Sequence, residues 1–215
     1  MMMEIVDLTH YIKEKMTVYP GTEGPKIEQN CTVVQNGYAE KLLTMFSHTG
    51  THIDAPGHIL ENAATLDDFD ISKFVGIAYV LDFRNVGRKI IEVDDLKKYE
   101  GLIRQNEFIL FCTGWSDYWD NEKYFDGFPV LSEESVSWLS SFKLKGLGFD
   151  VISIDPVGSE NLPNHRIILS KNMIIIENLT NLEYLVGKNI IFSCMPLKIE
   201  DADGSPVRAF AITDY

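Results

Sequence analysis

Apolar side chains along this chain gather into short runs bounded by Gly, Pro, Asn or Asp, and the runs are rich in β-branched and aromatic residues. That pattern reads as strands. The runs lie at Glu4 to Thr9, Ile27 to Val34, Ala39 to Phe46, Gly76 to Phe83, Glu107 to Cys112, Gly146 to Phe149, Met173 to Ile176, Asn189 to Met195 and Val207 to Thr213. Helical spacing is clearest after Pro129, where Ser132 can cap, Glu133 and Glu134 suit the first turn, and Val136, Leu139 and Phe142 recur on one face. A weaker helix begins near Val93, with Asp94 and Asp95 early and Lys97 and Lys98 late. Many strands with few helices predict an α/β or α+β architecture, without fixing the strand order. No repeat, low-complexity tract or Pro/Ser-rich linker divides the chain, so residues 1–215 are expected to form a single domain.

Composition narrows the partners. The chain carries 19 Lys and Arg against 32 Asp and Glu, a formal charge of −13, which repels nucleic-acid phosphates and anionic membrane surfaces. No apolar run approaches the roughly 18 to 20 residues of a membrane span, and the Met1-Met2-Met3-Glu4-Ile5-Val6-Asp7 start has acidic residues where a secretory signal would carry positive charge. A cytoplasmic protein is expected. Cys31, Cys112 and Cys194 are too far apart in sequence to form a thiol clip and are expected to be ordinary core residues.

The candidate chemistry is concentrated in one place. Of five histidines, three fall in the eleven-residue stretch His48-Thr49-Gly50-Thr51-His52-Ile53-Asp54-Ala55-Pro56-Gly57-His58. His48, His52, Asp54 and His58 all occupy even positions, which face one side of an extended chain. A straight strand would hold the Cα atoms of His48 and His52 about 13 Å apart at ~3.3 Å per residue. The backbone must therefore bend at Gly50, and again at Pro56-Gly57, for these side chains to converge. A helix would also bring His48 and His52 together, but Gly50, Pro56 and the β-branched Thr49, Thr51 and Ile53 oppose one. Imidazoles with a carboxylate and no thiolate suit zinc, with manganese or iron as alternatives.

That stretch resembles the HxGTHxDxPxH motif of the cyclase family of metal-dependent hydrolases, which includes bacterial kynurenine formamidases (arylformamidases) and isatin hydrolases. The likeness extends to Asp7-Leu8-Thr9, Tyr19-Pro20-Gly21, Leu42-Leu43-Thr44-Met45, Gly148-Phe149-Asp150 with Ser153 and Asp155-Pro156, and Asp203-Gly204-Ser205-Pro206-Val207-Arg208. The resemblance implies a swivelling β/β/α fold with a mixed sheet or barrel-like core, one or two metals (Zn²⁺, or Mn²⁺) and a homo-oligomer, dimeric or larger. It also implies residue roles. His48, His52 and Asp54 would hold a first metal, Asp54 would bridge to a second completed by His165 and Glu177, and His58 would transfer protons. Glu177 ends the apolar run Met173 to Ile176, where a cation would relieve the cost of a buried carboxylate.

The implied activity is hydrolysis of an aryl formamide such as N-formyl-L-kynurenine, as in tryptophan catabolism. A hydrolase of a cyclic amide, imide or lactone is the alternative, and a metal-carrying binding module without turnover is the third reading. A pure metal holder would not need a non-ligand imidazole such as His58 beside the site. Tyr19 stands where kynurenine formamidases carry a substrate-contacting Trp. Gly57 and Ile59 flank His58 where formamidases tend to carry Phe. The group Trp115, Tyr118, Trp119, Tyr124, Phe125 and Phe128 could wall a substrate or pack in the core, and His10 is assigned no catalytic role.

Overall fold

A computed structural model describes residues 4–85 and 89–213. The strands are β1 (Glu4–Asp7), β2 (Lys26–Cys31), β3 (Glu40–Thr44), β4 (His52–Asp54), β5 (Val75–Asp82), β6 (Ile90–Ile91), β7 (Phe108–Cys112), β8 (Val130–Leu131), β9 (Gly146–Phe149), β10 (Ile174–Glu177), β11 (Asn189–Ser193), β12 (Gly204–Pro206) and β13 (Phe210–Thr213). The helices are short: α1 (Val33–Asn36), α2 (Val93–Lys97), α3 (Glu100–Ile103), α4 (Glu133–Leu139) and α5 (Pro163–Leu169). Each of the nine apolar runs overlaps a strand, and β2, β5 and β10 each extend one residue beyond their run. Ser132 caps α4, its side chain accepting from the Ser135 N–H.

Nine strands form one mixed sheet in the order β1-β13-β11-β5-β7-β9-β10-β4-β12. The centre, β5-β7-β9-β10, is parallel, and antiparallel strands extend it on both sides. Parallel strands covered on both faces read as unbroken apolar runs, which is why β7 is Phe-Ile-Leu-Phe-Cys and β10 begins Ile-Ile-Ile. Their side chains divide by parity. Phe108, Leu110, Ile174 and Ile176 enter one core, whereas Ile109, Phe111 and Ile175 enter a second on the opposite face.

One expectation needs correction, and one open choice is decided. Cys112 and Cys194 are buried, but Cys31 lies at the end of β2 in a separate two-stranded hairpin and contacts the Tyr38 hydroxyl. The hairpin strands have no apolar face to bury in this chain, so Cys31 does not belong to the core. The aromatic group from Trp115 to Phe128 packs in or against the second core, where Trp119 stacks on His10 and the Trp115 indole donates to the Tyr124 carbonyl. The sheet end supplies a surface for these rings to cover, and that settles them as packing residues.

Candidate active site

The histidine-rich stretch becomes a short strand between two bends. Only His52–Asp54 are extended as β4, and Gly50 takes φ 68°, a left-handed conformation that a Cβ disfavours. This bend brings His48 back over the strand it precedes. Pro56–His58 form a single 3₁₀ turn that returns His58 to the same side. The rings of His48 and His58 lie 3.9 Å apart, and those of His48 and His52 lie 5.1 Å apart.

Sheet register brings the distant residues in. Strand β4 runs between β10 and β12, with Glu177 opposite His52, and Ile175 and Gly204 on either side of Asp54. Directly paired residues share a face, so the carboxylates of Asp54 and Glu177 and the imidazole of His52 project together. His165 arrives on α5, which packs against β10. The start of α5 is fixed by the buried Asp155, whose carboxylate accepts from the backbone N–H groups of Asn164 and His165 and approaches His165 Nδ1 at 2.7 Å.

Two groups of potential ligand atoms result: His48, His52 and Asp54, and Asp54, His165 and Glu177. Within each group the atoms lie within 4.8 Å of one another, and Asp54 belongs to both. A third such group, His48, His58 and Asp203, adjoins them. Asp54 is 1% exposed, and its Oδ2 has no hydrogen-bond partner. His165 Nε2 lies 3.7 Å from that oxygen, beyond hydrogen-bonding distance. A buried carboxylate oxygen without a hydrogen bond is costly, and a cation between the two groups would remove that cost. Each candidate ligand histidine also has its other nitrogen facing an oxygen: His48 Nε2 faces Asp203 at 2.9 Å, His52 Nδ1 the Gly50 carbonyl at 2.8 Å, and His165 Nδ1 Asp155. Such contacts orient metal-binding imidazoles and fix their tautomers. The donor set thus fits one or two divalent metals, His48 through Nδ1 and the other two through Nε2.

The electrostatics point the same way. Burial opposes charge on His48 and His165, yet carboxylates raise both to about 10: Asp54 and Asp203 around the first, Asp155 and Glu177 around the second. Burial also opposes ionisation of Asp54, but His48 and His52 hold it well below its ordinary value. This cluster attracts positive charge, and metal binding would compete with protons for the same nitrogens. His58 behaves differently. Burial lowers its pKa, Asp54 partly offsets this, and His48 and His165 push it down further, which favours the neutral form of a proton acceptor.

These residues form one end of a cavity of about 640 Å³ whose other walls include Tyr19, Phe46, Ile152 and Leu162. Tyr19 therefore lines the cavity as the sequence suggests, and its hydroxyl accepts from the Gly158 N–H at 3.2 Å. Gly57 and Ile59 are absent from the lining because the 3₁₀ turn aims only His58 inward. A Cβ on Gly57 would meet Thr65 and Ala64 instead. His10 and the aromatic group also lie outside the lining. Asp155, Asn178 and Asp203 also serve the site, Asn178 by donating its Nδ2–H to the Gly50 carbonyl that His52 Nδ1 faces. The first and last sit in the Asp155-Pro156 and Asp203-Gly204 pairs of the resemblance, whereas Asn178 carried only its position after Glu177.

Two contiguous imidazole–carboxylate groups sharing one carboxylate, beside a neutral imidazole at the end of a cavity, define the centre of a metal-dependent hydrolase. The Cyclase family model matches residues 6–156, and the chain belongs to that family. It is 32% identical over 209 residues to the kynurenine formamidase of Bacillus cytotoxicus, covering 96% of each chain, and 30% identical over 210 residues to that of Bacillus cereus, again covering 96% of each. Among solved structures, a potential metal-dependent hydrolase with cyclase activity aligns over 100% of both chains with TM-score 0.84 and 29% identity. An isatin hydrolase bound to the product analogue thioisatinate shares the fold, with TM-score 0.89 and 23% identity over 99% of this chain and 93% of that one.

Proposed function

We propose that the protein is a zinc-dependent (or manganese-dependent) amidohydrolase that cleaves the carbon–nitrogen bond of an aryl formamide such as N-formyl-L-kynurenine, giving L-kynurenine and formate. The observation that carries this reading is the unpartnered Asp54 Oδ2 between two ligand groups, with His58 beside them. In this reading His48, His52 and Asp54 hold one cation, and Asp54, His165 and Glu177 hold a second. A divalent cation in such a site supplies Lewis acidity and lowers the pKa of water from 15.7 to about 7. His58 accepts the proton of the attacking water and returns it to the leaving nitrogen. Tyr19, Phe46, Ile152 and Leu162 provide an apolar wall for the aryl ring.

The rest of the reading follows from the surface. The hairpin of β2 and β3 exposes Val33, Val34, Leu42, Leu43 and Phe46, with Val34 95% exposed. A two-stranded hairpin is marginal alone, so these residues suit burial in a homo-oligomer. No helix among the described residues is long and apolar enough to cross a membrane, and a cytoplasmic enzyme acting on a small molecule is the proposal.

The test is elemental analysis of the purified protein with turnover assays on N-formylkynurenine, isatin and cyclic imides. Formamide cleavage by zinc- or manganese-loaded protein is expected. Robust opening of a cyclic amide with no formamide cleavage would instead establish the isatin-type reaction, and metal retention without any turnover would leave a binding module.

A further inference from the structure

The segment Asp203–Gly204, outside the residues matched by the family model, lies directly against the centre. The Asp203 carboxylate approaches His48 Nε2 at 2.9 Å and His58 Nδ1 at 3.5 Å. Next to it, Gly204 pairs with Asp54 across β12 and β4. A Cβ on Gly204 would stand 2.7 Å from His48 Nε2 and 3.0 Å from Nδ1, so the His48 ring rests against bare backbone. Asp203 thus reaches both a candidate ligand and the proton-transfer imidazole.

The geometry points to Asp203 as a positioning residue that serves two histidines at once, fixing His48 for metal binding and His58 for proton transfer. The inference rests on the metal-centre reading of the site. For His48, carboxylates face both ring nitrogens, Asp54 Oδ1 at 2.7 Å from Nδ1 and Asp203 at 2.9 Å from Nε2. With a cation in place of the Nδ1 proton, Asp203 would hold the remaining proton on Nε2 and leave the Nδ1 lone pair for the metal. For His58, the 3.5 Å approach is longer than a tight hydrogen bond. It places negative charge beside Nδ1, so the proton resides there and the Nε2 lone pair is the one available for proton transfer. Gly204 completes the device by giving the His48 ring room.

Zn²⁺ titration in competition with a chelating dye, combined with kcat at saturating Zn²⁺ on the best aryl formamide found, tests this. Asp203→Ala is expected to bind Zn²⁺ about 10- to 100-fold more weakly at unchanged stoichiometry, the range that outer partners of ligands typically supply. Gly204→Ala should show a similar loss, and the exposed Glu200→Ala none. At saturating Zn²⁺, Asp203→Ala should lower kcat by about ten-fold in the wild-type background and hardly at all in the His58→Ala background, because coupled residues are non-additive. Asp203→Asn, of equal volume and still able to accept a hydrogen bond, should fall between wild type and Asp203→Ala, and it stands in should the alanine variant fail to fold. Wild-type affinity in both Asp203 variants, loss of a Zn²⁺ equivalent, or the same kcat loss in both backgrounds would overturn the assignment. Failure of the wild-type chain itself to take up Zn²⁺ would overturn the metal-centre reading and this inference with it.

Discussion

Two regions meet at the centre, and they are built in different ways. The stretch 48–58 delivers four side chains from eleven consecutive residues, and its geometry depends on a three-residue strand and two local bends. The opposite region draws Glu177 from β10, His165 from α5, Asp155 from the loop before it and Asp203 from the approach to β12. The first region depends on local backbone conformation; the second depends on sheet register and on helix packing. In the proposed function the local region would carry the proton transfer, while Glu177 and His165 of the assembled region would decide whether a second cation is held.

The sharpest way to separate them is to remove one imidazole of the local stretch at a time. His58→Ala is expected to lower kcat by about 10² to 10⁴ while retaining fold and metal content, whereas His52→Ala should release metal. Steady-state kinetics with elemental analysis checks both, and wild-type turnover in His58→Ala would assign proton transfer to another group.

In the assembled region, Glu177→Gln should reduce the metal from two equivalents per chain to one and lower turnover by about 10², since each cation supplies several kcal/mol of charge stabilisation. Gln keeps an acceptor for the Ile154 N–H, which Glu177 Oε1 holds at 3.0 Å, so melting of the apo form should hardly change. Unchanged metal stoichiometry after dialysis would remove Glu177 from the ligand set.

His10 tests whether the local stretch is braced from behind. Its backbone N–H donates to Thr51 Oγ1, its ring stacks on Trp119 at 4.0 Å, and burial lowers its pKa to about 4. The unfolded chain protonates His10 near its ordinary value of about 6.5, while the folded chain resists protonation until about 4. The His10 contribution to stability is therefore complete above that ordinary value and is lost as pH falls toward 4. His10→Phe keeps a ring against Trp119 and should show a shallower loss of denaturation free energy between about pH 7 and pH 4.5. Equal slopes for the two proteins would refute the expectation.

The smallest effect is expected at the far wall. Tyr19→Phe removes the hydrogen bond to the Gly158 N–H and should raise KM by about two- to five-fold with kcat little changed, in keeping with a contact worth about 1 kcal/mol. Tyr19→Trp should improve turnover of the aryl formamide, and identical kinetics in all three proteins would show that Tyr19 lines the cavity without touching substrate.

The strands were legible because their apolar runs are continuous or alternating, and each run overlaps one. β6, β8 and β12 were not, because two or three residues carry no periodicity and their pairing depends on strands distant in sequence, whereas β4 lies in the stretch that the histidine spacing already reads as extended. Helix α5 was hidden for a related reason: its first turn is stabilised by Asp155 from outside the helix, while Leu162, before Pro163, adopts a left-handed conformation instead of offering a capping side chain.

That His48, His52, Asp54 and His58 converge on one side is legible in the sequence, because alternation along an extended chain and a bend at Gly50 are local properties. Resemblance added His165 and Glu177, and the fold brings both within reach of Asp54. Three-dimensional neighbours alone place Asp203 against both His48 and His58 and Asp155 against His165, and pack the aromatic group from Trp115 to Phe128 in or against the second core. Those outcomes depend on which strands are neighbours in the sheet and on what each face must cover, and neither is encoded in the spacing of residues along the chain.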